Sequence, residues 1–274
     1  MASGRPGLAP AIPVYFDGLL QAHAHGAWGR WVHLGLWDVP PTAQDLARAD
    51  AYDAAMARLD QRLRALADLR DGQCILDVGC GLGGTLQAVD AGHHGMKLVG
   101  VNVDPRQLAA CRRLQARPGN QLLWLQADAT ALPWPTASAD RVFCVEAMFH
   151  FASRRAFLVE AARVLVPGGV LVASDIVVQG ATRAESEAIA AGFGPWPDLA
   201  PGSGAADPAA LAAAAGLRVD DCMDATVATA PSHHFTAGAN ALSADPVALA
   251  CHALRALHDR GALRYLLLRC TRPA

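Results

Sequence analysis

The stretch Cys74-Ile75-Leu76-Asp77-Val78-Gly79-Cys80-Gly81-Leu82-Gly83-Gly84 limits the fold of this chain more than any other. Ile75, Leu76 and Val78 read as a short buried strand that runs directly into a glycine turn, with a helix to follow from Thr85 to Ala91. Four of the six residues from Gly79 to Gly84 are glycine. Glycine inside a regular element costs roughly 0.5–1 kcal/mol against alanine, so this density serves a backbone that needs positive φ or the close approach of another molecule. Such a turn at the carboxyl end of a strand presents backbone N–H groups and a helix N-terminus to a ligand. Asp77, two residues before the first glycine, places a carboxylate at the mouth of that site.

The residues that follow alternate between strand and helix patterns. Strands are expected at Lys97 to Val103, Gln121 to Ala127, Arg141 to Val145, Val170 to Val178 and Leu217 to Val227, with a final one at Ala262 to Arg269. Helices are expected from Asp104-Pro105 through Arg117, around Arg154 to Val164, at Ala209 to Ala215 and from Asp245 to Asp259. Pro167-Gly168-Gly169 reads as a tight turn into the fifth strand, and Gly261 as a short turn that brings the last strand in antiparallel at the sheet edge. This alternation predicts an α/β fold, a doubly wound sheet with helices on both faces.

Residues 1–13 read as a flexible lead and 14–70 as an N-terminal helical cap or lid. The cap opens with Tyr15, Phe16, His23, His25, Trp28, Trp31, His33 and Trp37. After Val39-Pro40-Pro41, Thr42 or Asp45 is expected to cap a helix reaching about Leu69, with Leu46, Met56, Leu59, Leu63 and Leu66 near one face. Residues 71–274 then form the ligand-binding domain, in which 179–208 is a long Gly- and Pro-rich connection carrying Phe193 and Trp196, expected as a substrate-side loop.

A hydrophobic share of 53% is ample for a core, and a net charge of −2 without a basic stripe gives no reason to expect nucleic acid. No apolar run approaches the roughly 18 residues that would suggest a membrane span. Met1 to Pro13 lacks the charged-then-apolar order of a signal peptide. Seven cysteines without a Cys-x-x-Cys pair read as free thiols in a reducing cytoplasm.

Gly79-x-Gly81-x-x-Gly84 alone also fits a dinucleotide fold. Asn102, at the end of the second strand, stands where a ribose-recognising group belongs. Gln126-Ala127-Asp128-Ala129 follows the third strand, then Leu132-Pro133-Trp134, and Arg163 to Gly169 leads into the fifth. In this order and spacing, these motifs resemble the seven-stranded, class I S-adenosylmethionine-dependent methyltransferases. Within them the likeness is to small-molecule natural-product enzymes such as the rebeccamycin sugar O-methyltransferase and tocopherol-type methyltransferases. The resemblance implies six parallel strands and a last, antiparallel one. It also implies S-adenosylmethionine as cofactor, with S-adenosylhomocysteine as product.

Carried over residue by residue, the resemblance puts Asp77, Gly79, Cys80 and Gly81 along the methionine part of the cofactor. Asn102 replaces the acid with which most relatives grip the ribose; Gln107 is expected to share that task, with Asp104 a third candidate. Asp128 would accept from the adenine amino group and the Ala129 N–H would meet the ring, with Leu108 or Trp134 as a wall. Glu146 would touch the methionine end or cap the next helix.

Methyl transfer from a sulfonium is an in-line displacement at an activated carbon, so positioning supplies most of the acceleration. A hydroxyl acceptor also benefits from a base, and histidine suits neutral pH. His150, after the fourth strand, is the expected base, and the resemblance makes Asp175 its partner, with Phe149 where some relatives carry a further histidine. Trp31 to Asp38 resembles the family's N-terminal His-x-Gly-Tyr/Phe-Trp segment, which puts His33, Tyr15 and Trp37 over the cofactor. Trp196, His233 and His234 are expected on the substrate side; adjacent histidines without a Cys or acid at ligand spacing do not make a metal site. The expected function is methyl transfer to a small, apolar or aromatic secondary metabolite, at oxygen in preference to nitrogen or carbon. A nicotinamide-dependent oxidoreductase and a non-methylating S-adenosylmethionine-binding cyclase are the rivals. The tryptophan-rich N-terminus could be exchanged between the subunits of a homodimer.

Overall fold

A computed structural model describes residues 12–13, 15–199, 207–238 and 245–274; the expected flexible lead lies almost wholly outside them. The chain starts with helix α1 (Tyr15–Ala24), then α2 (Ala43–Leu46) and α3 (Ala49–Leu66). Strand β1 (Cys74–Val78), α4 (Gly84–Gly92), β2 (Lys97–Asn102), α5 (Pro105–Cys111), β3 (Gln121–Gln126) and β4 (Ala139–Val145) follow. Next come α6 (Arg154–Val164), β5 (Leu165–Val178), α7 (Arg183–Phe193), α8 (Pro208–Ala214) and β6 (Arg218–Asp224). Helices α9 (Thr226–Thr229), α10 (Ser232–Gly238) and α11 (Pro246–Asp259) lead to β7 (Leu263–Thr271).

The seven strands form one sheet in the order β3-β2-β1-β4-β5-β7-β6, with β7 alone antiparallel to its neighbours. The last strand is therefore not at the edge. It inserts between β5 and β6, and its composition explains why: Tyr265 to Leu268 are all buried, as a strand covered on both faces requires, whereas β6 is mostly exposed. Alternate residues of each strand feed two cores. Ile75, Leu98, Phe143 and Val172 meet α3, α4, α7 and α11 through Leu63, Leu86, Ile189 and Leu257. Leu76, Val99, Val142 and Leu171 meet α6 and α8 through Phe157, Leu158 and Ala212. Burying each such side chain contributes about 1.5–3 kcal/mol, and helices are thereby fixed on both faces.

Four local expectations need correction. The helix expected to run unbroken to Leu69 is two helices; a single capping box, in which Thr42 and Asp45 serve each other, starts the short α2. Helix α5 stops at Cys111: the Arg113 and Leu114 N–H groups bond only three residues back, and the Arg117 N–H goes to the Asp90 carboxylate. Pro167-Gly168-Gly169 is a bulge inside β5: Ala139 faces Leu165 while Arg141 faces Val170, and Gly168 (φ +78°) donates its N–H to Arg272 O at 2.9 Å. The supposed loop 179–208 contains α7, started by a second capping box, Thr182 with Glu185.

Candidate active site

The carboxyl ends of β1, β2 and β4 and the residues after β3 surround a cavity of about 410 Å³, within the range of small-molecule sites. Segments from outside the sheet close it: Pro13, Tyr15 and Phe16 at the start of α1, Arg30 to His33, and Pro195 with Pro197 beyond α7. The floor is the glycine loop. Gly79 has φ +81°, and a Cβ there would sit 2.3 Å from Ala147 Cβ, so only glycine lets β1 and β4 approach this closely beneath the cavity. Its N–H is bonded to Val101 O at 2.8 Å, which locks the loop to β2.

Asp77 lies buried on this floor with no protein donor reaching its carboxylate among the described residues. Burial, reinforced by the neighbouring Asp60 carboxylate, pushes it up to about 7. Glu146, on the opposite rim, is also pushed up to about 7 by burial, although two donors reach Oε1. The Leu34 N–H and the Tyr265 hydroxyl each donate to it at 2.6 Å. Glu146 holds this place in a left-handed conformation, φ +46°, that costs a non-glycine residue roughly 1–3 kcal/mol. Its carboxylate thus pins the segment after Trp31 to β4 and β7. Cys80 also lines the cavity; the Cys111 thiol beside it and burial hold it well above the ordinary thiol range, so it contributes shape rather than charge.

The amides at β2 form a chain. Asn102 Oδ1 accepts from the Asp104 N–H at 3.0 Å, and Asn102 Nδ2 donates to Gln107 Oε1 at 2.8 Å. Gln107 Nε2, buried in a residue that lines the cavity, is left without a partner. An orphaned buried donor is costly unless a ligand satisfies it. Asp104 is not part of this recognition: it caps α5 and pairs with Arg106 at 2.8 Å. At the far end Asp128 receives Thr130 N–H and Oγ1 on Oδ1, both at 2.8 Å, leaving Oδ2 for another donor, and Ala129 lines the same wall. Leu108 is in the core and Trp134 stacks under Lys97, so neither is the wall expected of it. Val101, Val103 and Phe151 take that place.

His150 borders the cavity opposite the glycine loop, with Tyr15 OH 3.4 Å from Nε2. Burial and the nearby Arg154 charge push the imidazole down to about 3, so it is neutral where it pairs with the phenol. Asp175 does not touch it. Arg154 binds Asp175 through Nε at 2.7 Å, and the same guanidinium holds Asp198. Charge pairing with an arginine has captured the expected partner. His33 lines the cavity, its Nδ1–H donating to Leu34 O at 2.8 Å and its Nε2 unpartnered; burial holds its pKa low.

The other substrate-side residues fall behind the wall. Trp37 stacks on Phe235 with ring centroids 5.7 Å apart and donates to Ser232 Oγ, which is packing for the cap. Phe149 and Trp196 are buried against each other at 4.3 Å and back the His150 ring from outside the cavity. His233 and His234 are on α10, not in a loop; His233 packs buried beside His258 and His234 is exposed. Sequence reasoning missed Asp60, Phe16, Arg30 and Trp31. The aromatic run flagged Phe16 and Trp31 only as members of a group and did not flag Arg30, and Asp60 reads as a polar helix residue although its carboxylate is buried.

The residues present fit S-adenosylmethionine: Asp77 without a donor, the orphaned Gln107 amide and the half-satisfied Asp128 would hold its ammonium, ribose and adenine. Residues 76–173 match the family profile described as "Methyltransferase domain". Solved structures with the same fold include geranyl diphosphate C-methyltransferase of Streptomyces coelicolor A3(2), described in complex with S-adenosyl-L-homocysteine. It has 16% identity and a TM-score of 0.72, over 96% of this chain and all of that one. The profile match covers residues 76–173, and the likeness to the solved structure is one of fold. Among curated proteins it is similar to 2-methyl-6-phytyl-1,4-hydroquinone methyltransferase of Synechocystis, with 34% identity over 58% of this chain and 47% of that one. It is also similar to 27-O-demethylrifamycin SV methyltransferase of Amycolatopsis mediterranei, with 32% identity over 55% and 53%. The chain thus spans about half the length of these curated relatives. The [4+2]-cyclase SpnF shares the fold over the full length of both chains, with 21% identity and a TM-score of 0.71.

Proposed function

We propose that this protein transfers a methyl group from S-adenosylmethionine to a small secondary metabolite, with an oxygen acceptor favoured over nitrogen or carbon. The observation that carries this reading is the series Asp77, Gln107 and Asp128 along one cavity that ends at the Tyr15–His150 pair. When bound, the cofactor supplies a methyl group on a sulfonium. The chain holds the cofactor at three polar points, excludes water with Tyr15, Phe16 and Trp31, and presents a neutral His150 Nε2 toward the space left for an acceptor. That nitrogen orients an acceptor hydroxyl by taking its hydrogen bond. Because burial and the Arg154 charge hold the imidazole at about 3, its part is to position the acceptor and not, as expected of it, to act as base, and the proton leaves to solvent. Tyr15, its resting partner, gives way to the acceptor.

The names of the two curated relatives support a small-molecule acceptor. No helix among the described residues is long and apolar enough to cross a membrane, and the seven unpaired cysteines support a reducing compartment. The test is a thermal-shift titration with S-adenosylhomocysteine and with NADH, followed by turnover on hydroxylated aromatic and isoprenoid acceptors. Stabilisation by the first ligand alone is expected, and stabilisation by NADH would defeat the reading. On an identified acceptor, His150→Ala should lower kcat about 10-fold, the loss of one positioning hydrogen bond, while leaving cofactor affinity unchanged. Cofactor binding without transfer to any acceptor would instead favour the non-methylating cyclase alternative.

A further inference from the structure

Helix α7 ends at Phe193, and Gly194 turns the chain with φ +81°, a conformation that glycine adopts without strain. The next three residues, Pro195-Trp196-Pro197, alternate in direction. Both prolines line the cavity, whereas the Trp196 ring is buried 4.3 Å from Phe149 and stands edge-on to His150 at 5.8 Å. Trp196 lines a separate small void instead, together with Arg154 and Asp198. A proline has no backbone N–H to donate. This wall therefore meets an occupant of the cavity with ring carbons and no N–H.

One charged side chain ties the wall to the sheet. Arg154, at the start of α6, is buried; its Nε donates to Asp175 at 2.7 Å and its Nη2 to Ile176 O at 3.0 Å, both on β5. The remaining nitrogen, Nη1, donates to Asp198, which directly follows Pro197. A rigid planar fork held at two corners fixes where its third corner points. The ion pair thus sets how far the two prolines stand from Tyr15 and His150. Asp175 alone balances the buried charge, so Asp198, with its side chain 37% exposed, is a second carboxylate beyond what burial of the arginine requires.

We propose that the Arg154–Asp198 pair is a specificity determinant for the acceptor, holding Pro195 and Pro197 as a donor-free wall that takes the carbon skeleton of a neutral acceptor and turns away an anionic one. The proposal rests on the methyltransferase reading above and extends it from the acceptor hydroxyl to the skeleton that bears it. An anion set against these rings would lose its water without gaining a hydrogen bond. An apolar skeleton loses nothing there, and Tyr15 and Phe16 add aromatic surface to the same cavity. Arg154 and Asp198 do not line that cavity, so both are positioning residues.

The experiment takes the full chain saturated with S-adenosylhomocysteine and follows by calorimetry the binding of naphthol and of naphthoate, the same rings bearing a carboxylate. The wild type should bind naphthol at least about tenfold more tightly than naphthoate. Asp198→Ala should weaken naphthol roughly 5- to 10-fold, and Asp198→Glu, which keeps the carboxylate, should recover most of that loss. Arg154 keeps Asp175 in both variants, so affinity for S-adenosylhomocysteine should not change. With an acceptor that is turned over, Asp198→Ala should raise KM and leave kcat unchanged, the reverse of His150→Ala, because the wall touches the skeleton equally before and during transfer. Naphthol bound no better than naphthoate, or unaffected by Asp198→Ala, would overturn the proposal. Equal losses of naphthol and S-adenosylhomocysteine in Asp198→Ala would overturn it in favour of a structural brace. A chain that binds S-adenosylhomocysteine but neither naphthyl ligand would overturn it and leave the cofactor reading intact; one that binds no S-adenosylhomocysteine would remove that reading as well.

Discussion

Asp77 carries the sharpest consequence at the scale of single residues. Its carboxyl sits near 7, far above the usual carboxylate range of about 4, so the folded chain keeps a proton there that the unfolded chain has lost. The stability it contributes is therefore present at low pH and declines as pH rises from about 4 to about 7, after which it is constant. Binding an ammonium needs the ionised form, so the ligand displaces that proton below pH 7. Affinity for S-adenosylhomocysteine should fall about tenfold from pH 8 to pH 6, with one proton released at the lower pH. Asp77→Asn should abolish the Asp77-linked part of that pH dependence, weaken binding, and raise the unliganded melting temperature at pH 8, because a buried charge is gone. Calorimetry in buffers of different ionisation enthalpy checks all three, and an unchanged pH profile in the variant would assign the proton to Glu146, which also sits near 7.

At the scale of elements, what could be read from the chain depended on whether a residue's role was local. Asp77, Gly79, Asn102 and Asp128 occupy strand ends and the turns after them, positions set by a motif a few residues long, and all four line the cavity. Asp175 was misjudged because its partner is decided by Arg154, on a helix 21 residues away, and ion pairing is not visible in one strand. Trp37 and Trp196 pack against Phe235 and Phe149, and an aromatic pattern does not tell a packing ring from a lining one. Helix α7 was legible: Thr182-x-x-Glu185 is a capping box, but the surrounding glycines and prolines hid it. Thr182→Ala should cost about 1 kcal/mol of stability by chemical denaturation and slightly loosen Phe193, which meets Tyr15 edge-on at 5.1 Å. No loss of stability would mean the box is not what begins α7.

Across the whole molecule, the sheet ends and helix α5 place Asp77, Gln107 and Asp128 around one cavity, and segments of the cap close it. Their junction is Glu146, which spends a strained backbone and a buried carboxyl to bind the Leu34 N–H from the cap and Tyr265 from β7. The insertion of β7 between β5 and β6 is what brings Tyr265 to that point. Fold and site are thus one construction, in which the antiparallel strand steadies the rim where His150 and the cap meet. The central claim is that this cavity holds S-adenosylmethionine with Gln107, rather than an acid, on the ribose. A crystal structure with S-adenosylhomocysteine bound measures it directly. The expected result has a ribose oxygen about 3 Å from Gln107 Nε2, the adenine amino group on Asp128 Oδ2 and the ammonium on Asp77. A nucleoside bound elsewhere, or in this cavity with Gln107 Nε2 still unpartnered, would contradict it.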